Sequence, residues 1–144
     1  MSDDRFLGTW RLLSCELRSS NGEVSYPMGE DAIGYIAYHK DGHMSVAFMS
    51  ADREAFTADD ILGGTPSEKA RAAETYVSYA GTYAVSGNQV KHHIKVSLFP
   101  NWTGQTQIRN FRFEEDRLFL STPPMLVQGK MQEAYLIWQK VDDA

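Results

Sequence analysis

"HHIKVSLFPNWTGQTQIRNF", His92–Phe111, decides the fold. Two period-two runs flank a connection rich in turn and aromatic residues. Before it, Val90, His92, Ile94 and Val96 alternate with Lys91, His93, Lys95 and Ser97. After it, Gln105, Gln107, Arg109, Phe111 and Phe113 alternate with Thr106, Ile108, Asn110, Arg112 and Glu114. Strict alternation is the mark of a strand with one buried face, so "LFPNWTG" joins two antiparallel strands. The apolar members assign the first set of each run to the inside. Inward residues must then face inward residues across the pair, and the loop length sets His92 against Arg109 or Phe111. Either register brings His92 and Arg109 together, at about 4.5–5.5 Å or at most about 7–8 Å between Cβ atoms.

Working outward, the rest of the chain is mostly strand. "FLGTWRLLSCELR" begins it, and "IGYIAYHKDGHMSVAFM" reads as a hairpin. Its Asp41-Gly42 pair is the signal for a two-residue type I′ turn. That turn sets Lys40 against His43 and His39 against Met44, so His39 and His43 point to opposite faces. "GTYAVS", "VKHHIKVS", "QTQIRNFRFE", "RLFLST" and "MQEAYLIWQKV" follow. About eight short strands with turn signals between them indicate an antiparallel sandwich or a closed barrel. A helical insert interrupts them around residues 50–80. Thr65, Pro66 and Glu68 supply an N-cap, a first-turn proline and a capping box. Its small and aromatic face (Ala73, Tyr76, Val77, Ala80) is expected to pack as a fixed cover over the strand ends opposite the "LFPNWTG" rim.

The totals narrow the role. With 144 residues, the chain is read as one domain, 1–144. A net charge of −5 argues against a basic phosphate-binding face, so neither nucleic acid nor an anionic membrane is expected as a partner. Cys15 is the single cysteine, and "MSDDRFLG" lacks the order of a secretory signal, so a cytoplasmic protein is expected. No apolar run is long enough to span a bilayer.

"FLGTWRLLSCE", "GYIAYHKDGHMSV", "GTYAV", "HHIKVSLFPNWTGQTQIRNF" and "RLFLSTPP" together resemble the lipocalin-like domain family of small bacterial and fungal proteins, within the calycin superfamily. The resemblance covers nearly the whole chain. It implies an all-β, eight-stranded antiparallel calycin barrel around a ligand cavity. It also implies that Trp10 closes one end with a cation from the last strand across it, the place held here by Lys140. Related barrels include passive carriers and cofactor-free enzymes, so the resemblance implies a fold more firmly than an activity.

The chemistry rests on the inward polar residues. His92 and His93 are adjacent on a strand and cannot share an ion, and neither Cys-x-x-Cys nor His-Glu-x-x-His occurs. No metal and no cofactor are expected. Arg109 cannot shed its charge, so an inward Arg109 needs a partner. Glu16, on the Trp10 face, or Glu133 would satisfy it within the fold, and Cys15, on the opposite face, would be an inert thiol. Otherwise Arg109 holds an anionic or carbonyl oxygen of a ligand. The nearby charge and burial would keep His92 neutral. The favoured function is binding of a small, largely apolar or aromatic molecule carrying a carbonyl or anionic group. His92 and Arg109 form the centre, with Gln107, Tyr38, Phe48, Trp102, Phe111 and Tyr135 around the ligand. Tyr83 is a further hydroxyl. One alternative is a cofactor-free isomerase, cyclase or dehydratase with His92 as general base and Arg109 as oxyanion stabiliser. Another is a filled barrel acting as an interaction module. Ile108 on an outer strand face could pair two barrels into a homodimer.

Overall fold

The structure, a computed structural model, describes residues 3–142. Its elements are β1 (Gly8–Ser19), β2 (Val24–Ser25), β3 (Ile33–Tyr38), β4 (His43–Met49), α1 (Pro66–Glu74), β5 (Tyr76–Ser86), β6 (Gln89–Ser97), β7 (Thr106–Glu114), β8 (Arg117–Ser121), β9 (Met125–Val127) and β10 (Lys130–Lys140). Neighbours pair antiparallel in the order β2-β1-β3-β4-β5-β6-β7-β8-β10-β9, and β1 also pairs with β10. That last pairing closes eight strands into a barrel and leaves β2 and β9 as short flanking strands. Closure removes the exposed edges an open sheet would carry.

One end is plugged. A 3-10 turn at Asp4–Phe6 drives Phe6 into the barrel against Tyr38, Phe111 and Phe113, with ring centroids 4.9, 4.8 and 5.0 Å away. The Trp10 indole N–H donates to the Phe6 carbonyl at 2.9 Å. Lys140 lies 4.8 Å from the centre of the Trp10 ring and donates to the Leu7 carbonyl, so the closing cation is present and is a lysine.

Two bulges change which residues face inward. Leu12 faces Trp138 but Ser14 faces Ile137, so Leu13 is an extra residue in β1. Beyond it the alternation inverts. Cys15 and Leu17 become buried on the inside, while Glu16 turns outward and pairs with Arg18. The expected placement of Cys15 opposite Trp10 and of Glu16 beside it is thereby corrected. Burial pushes the Cys15 thiol up to about 12, which leaves it inert at neutral pH. In β6, Ala80 faces Val96 but Gly81 faces Ile94, and Val96 is consequently 63% exposed rather than inward.

Gly81 is obligatory at that second bulge. A Cβ there would lie 1.9 Å from the His93 carbonyl oxygen. Both atoms belong to the β5–β6 ladder, so neither can yield. Gly81→Ala is expected to destabilise the fold by about 3 kcal/mol. A urea midpoint equal to that of the parent would contradict this.

Three local expectations are revised. The β3–β4 turn spans His39–Gly42, with the Gly42 amide donating to the His39 carbonyl at 3.0 Å and positive φ at Gly42 but not at Asp41. This is a type I turn with a glycine bulge, stabilised by Asp41 Oδ1 accepting from the His43 amide at 3.0 Å. Tyr38, not His39, therefore faces Met44, and both are buried. The helix ends at Glu74, and Tyr76, Val77 and Ala80 belong to β5; α1 itself buries none of its residues. Finally, the insert and the 98–105 connection lie at the same barrel end. Successive hairpin connections alternate between ends, and these two are two connections apart.

Candidate functional site

The inner wall carries a compact polar group on otherwise apolar strands. β3 supplies Tyr38, β5 Tyr79, β6 His92, and β7 Gln107 and Arg109. His92 is 1% exposed, and its two ring nitrogens are both occupied. The Tyr38 hydroxyl lies 2.7 Å from Nε2 and the Tyr79 hydroxyl 2.7 Å from Nδ1. In the β6–β7 pair His92 faces Gln107, and Val90 faces Arg109. Arg109 is thus the diagonal neighbour of His92, in a register two residues off the expected His92–Arg109 pair and four off the His92–Phe111 pair. The ladder stops at His93–Thr106, where the Ile94 amide donates to the Gln105 carbonyl and the chain leaves the sheet through a 3-10 turn at Pro100–Trp102.

Arg109 is 7% exposed and meets no carboxylate within ion-pair distance among the described residues. Its guanidinium donates to the Ile108 carbonyl at 3.1 Å and, at 3.5 Å, to Gln107 Oε1. Both acceptors are neutral. Of the two carboxylates that could have matched it, Glu16 pairs with Arg18 and Glu133 accepts from the Tyr135 hydroxyl. A buried guanidinium without a counter-ion is costly, and its other polar neighbour, the Tyr79 hydroxyl, is neutral as well.

These groups shape each other's ionisation. Burial first, then the charge of Arg109, then His93, holds His92 well below the usual imidazole range. Burial raises the Tyr79 phenol, and Arg109 opposes that rise. Burial raises the Tyr38 phenol well above its ordinary value. At neutral pH the cluster therefore carries one net positive charge, on Arg109.

All of this group but Tyr38 faces a cavity of about 420 Å³. Phe48, Val77, Trp102 and Trp138 supply apolar wall, and Tyr79, His92, Gln107 and Arg109 the polar part. Trp102 stacks edge-on against Tyr79 at 5.8 Å and against Phe99 at 5.6 Å, forming an aromatic rim at the mouth. The Trp138 indole N–H is buried without a hydrogen-bond partner among the described residues. A groove of about 380 Å³ also crosses the outer barrel face near Arg18 and Arg112, but those cations are already matched by Glu16 and Glu114.

Of the residues singled out in the sequence, His92, Arg109, Gln107, Phe48 and Trp102 come together on the cavity wall. Tyr38 stands behind His92, away from the cavity. Phe111 belongs to the plugged end against Phe6, and Tyr83 turns its hydroxyl to the His39 carbonyl there. Tyr135 lies on the outer face under Arg18, because Gln132, Ala134, Leu136 and Trp138 take the inward positions of β10. Tyr79 was missed. Its signal was the alternation in "YVSYAG", hidden by the helix pattern running into it. Among the described residues no group of three or more His, Cys, Asp or Glu side chains could hold a metal ion. No helix there is long and apolar enough to cross a membrane.

Eight antiparallel strands closed around an internal cavity, with a Trp–cation closure at the plugged end, define a barrel of the lipocalin type. The family model described as the lipocalin-like domain matches residues 7–141, and the chain belongs to that family. The chain is similar to the 4'-hydroxy-3'-methoxypropiophenone carrier protein ppsC of Aspergillus oryzae (strain ATCC 42149 / RIB 40). The two are 33% identical over 107 residues, covering 68% of this chain and 96% of that protein. It is similar in fold to a lipocalin-like protein from Bacteroides uniformis ATCC 8492, with a TM-score of 0.50 at 13% identity, covering 95% of this chain and 99% of that one.

Proposed function

We propose that the protein binds and carries a small aromatic molecule bearing a carbonyl or anionic oxygen, with that oxygen set against Arg109. The observation that carries this reading is a guanidinium buried on the wall of a largely apolar cavity and matched by no carboxylate among the described residues. A ligand oxygen supplies what the fold withholds. The carrier relative, whose name specifies a hydroxylated aryl ketone, supports the same class. Binding is favoured over catalysis by His92 as general base, because both of its ring nitrogens are engaged by phenols.

Titration with 4-hydroxypropiophenone, followed by tryptophan fluorescence, tests the reading. Trp102 and Trp138 line the cavity, so saturable quenching is expected. Absence of saturable binding by the unaltered protein to this and related aryl ketones would remove the proposal.

A further inference from the structure

The Tyr38–His92–Tyr79 chain has a direction. A neutral imidazole carries one N–H and one bare nitrogen, and burial beside Arg109 keeps His92 neutral. Two arrangements satisfy both 2.7 Å contacts. In the first, Tyr38 donates to Nε2, and Nδ1–H donates to the Tyr79 oxygen. In the second, Tyr79 donates to Nδ1, and Nε2–H donates to the Tyr38 oxygen.

The second arrangement strands the Tyr38 O–H. Tyr38 is fully buried, with Phe6 at 4.9 Å and Tyr83 at 4.8 Å between ring centroids. The Tyr83 hydroxyl is directed to the His39 carbonyl, and His92 is the hydrogen-bond partner of Tyr38 among the described residues. Each arrangement leaves one phenol O–H without a partner in the fold; at Tyr38 it would be sealed in the core, whereas Tyr79 lines the cavity, where water or a ligand can accept it. The first arrangement therefore holds. In it, Tyr79 accepts from His92, and its own hydrogen is free to point away from the imidazole, on the side where Tyr79 lines the cavity. Arg109, within side-chain hydrogen-bonding reach of Tyr79 on the same cavity wall, can only donate. The polar end of the cavity is thus presented with donors.

We propose that the Tyr79 hydroxyl and the Arg109 guanidinium form a paired donor cradle for one acceptor oxygen of the ligand, and that His92 is the positioning residue whose Nδ1–H aims that hydroxyl. The inference rests on the binding role proposed above and adds a selection rule. The buried ligand oxygen must be an acceptor, as in a ketone, phenolate or carboxylate, and a hydrocarbon of the same shape gains nothing from the cradle.

Two probes and one spectrum test it. Tyr79→Phe is expected to weaken 4-hydroxypropiophenone binding about tenfold and to leave propylbenzene binding unchanged. His92→Leu should weaken the ketone in the same direction. Because His92 acts through Tyr79, the double variant should be no weaker than Tyr79→Phe alone. Nitrogen-15 NMR of the unaltered protein should show His92 protonated at Nδ1 and bare at Nε2, a readout that needs no variant to fold. Equal ketone binding by Tyr79→Phe, additive losses in the double variant, or a proton on Nε2 each overturns the inference while leaving the carrier role intact. Failure of the unaltered protein to bind any aryl ketone overturns the carrier role instead.

Discussion

Arg109→Met is expected to weaken binding of 4-hydroxypropiophenone by about 10–100-fold and, in the same molecule, to raise the stability of the ligand-free fold. The first effect follows from losing hydrogen bonds donated by a charged group in a low-dielectric cavity, worth about 1.5–3 kcal/mol. The second follows from what Arg109 lacks. Its neighbours are the Ile108 carbonyl, Gln107, His92 and Tyr79, and no carboxylate among the described residues compensates its burial. Methionine has similar volume and adapts to irregular space, so the substitution removes a desolvated charge without opening a large void. A gain on the order of 1–3 kcal/mol in urea unfolding is expected. A structural arginine behaves oppositely, because breaking a matched buried pair destabilises by about 3–5 kcal/mol. Opposite signs in binding and stability distinguish a residue kept for its ligand from one kept for the fold. A destabilised variant that still bound the ketone as the parent does would sink the assignment.

The contrast between the two faces of β6 and β7 explains how much of this site could be read beforehand. Alternation alone placed His92, Gln107 and Arg109 inward, because one-residue parity is enforced by burying one face of every strand. It could not fix register. His92 pairs with Gln107 rather than with the expected Arg109 or Phe111, since register depends on where the ladder yields to the Pro100–Trp102 turn. The bulges at Leu13 and beside Gly81 lay beyond a period-two reading altogether. The first mattered most, because it turned Glu16 outward and left Arg109 without the partner the pattern had offered it. Tyr79 was hidden for a different reason. The helix pattern in "SEKARAAETYVSYAG" continues smoothly into a strand, and Thr75, whose hydroxyl and amide both bond back to the Arg71 carbonyl, marks the change only in three dimensions. The lipocalin-like architecture was legible because motifs spread across nearly the whole chain agree on it. The contacts of Tyr38 and Tyr79 with His92 were not, because they depend on which strands meet inside the barrel.

His92 makes the stability of the protein depend on pH in a predictable window. Its imidazole is held well below its ordinary value of 6.5 in the folded state, chiefly by burial and then by Arg109. In the unfolded chain that constraint is absent. As pH falls through about 6.5, the unfolded state gains a proton that the folded state refuses, so stability must fall. The slope approaches about 1.4 kcal/mol per pH unit for as long as the folded imidazole stays neutral. The carboxylates whose values are lowered in the fold, Asp3, Asp41 and Glu68, act at lower pH, below the ordinary carboxylate values. They contribute alike to any His92 variant and cancel in a comparison. His92→Gln can still bond both phenols but cannot titrate. Its stability relative to the parent should therefore rise as pH falls from 7.5 to 5.0, measured by urea unfolding at each pH. A constant difference across that range would show that the buried imidazole does not resist protonation. Arg109→Met supplies the cross-check. Removing the second-largest cause of the depression lets the folded His92 accept its proton at higher pH. The loss of stability in that variant should therefore level off earlier than in the parent.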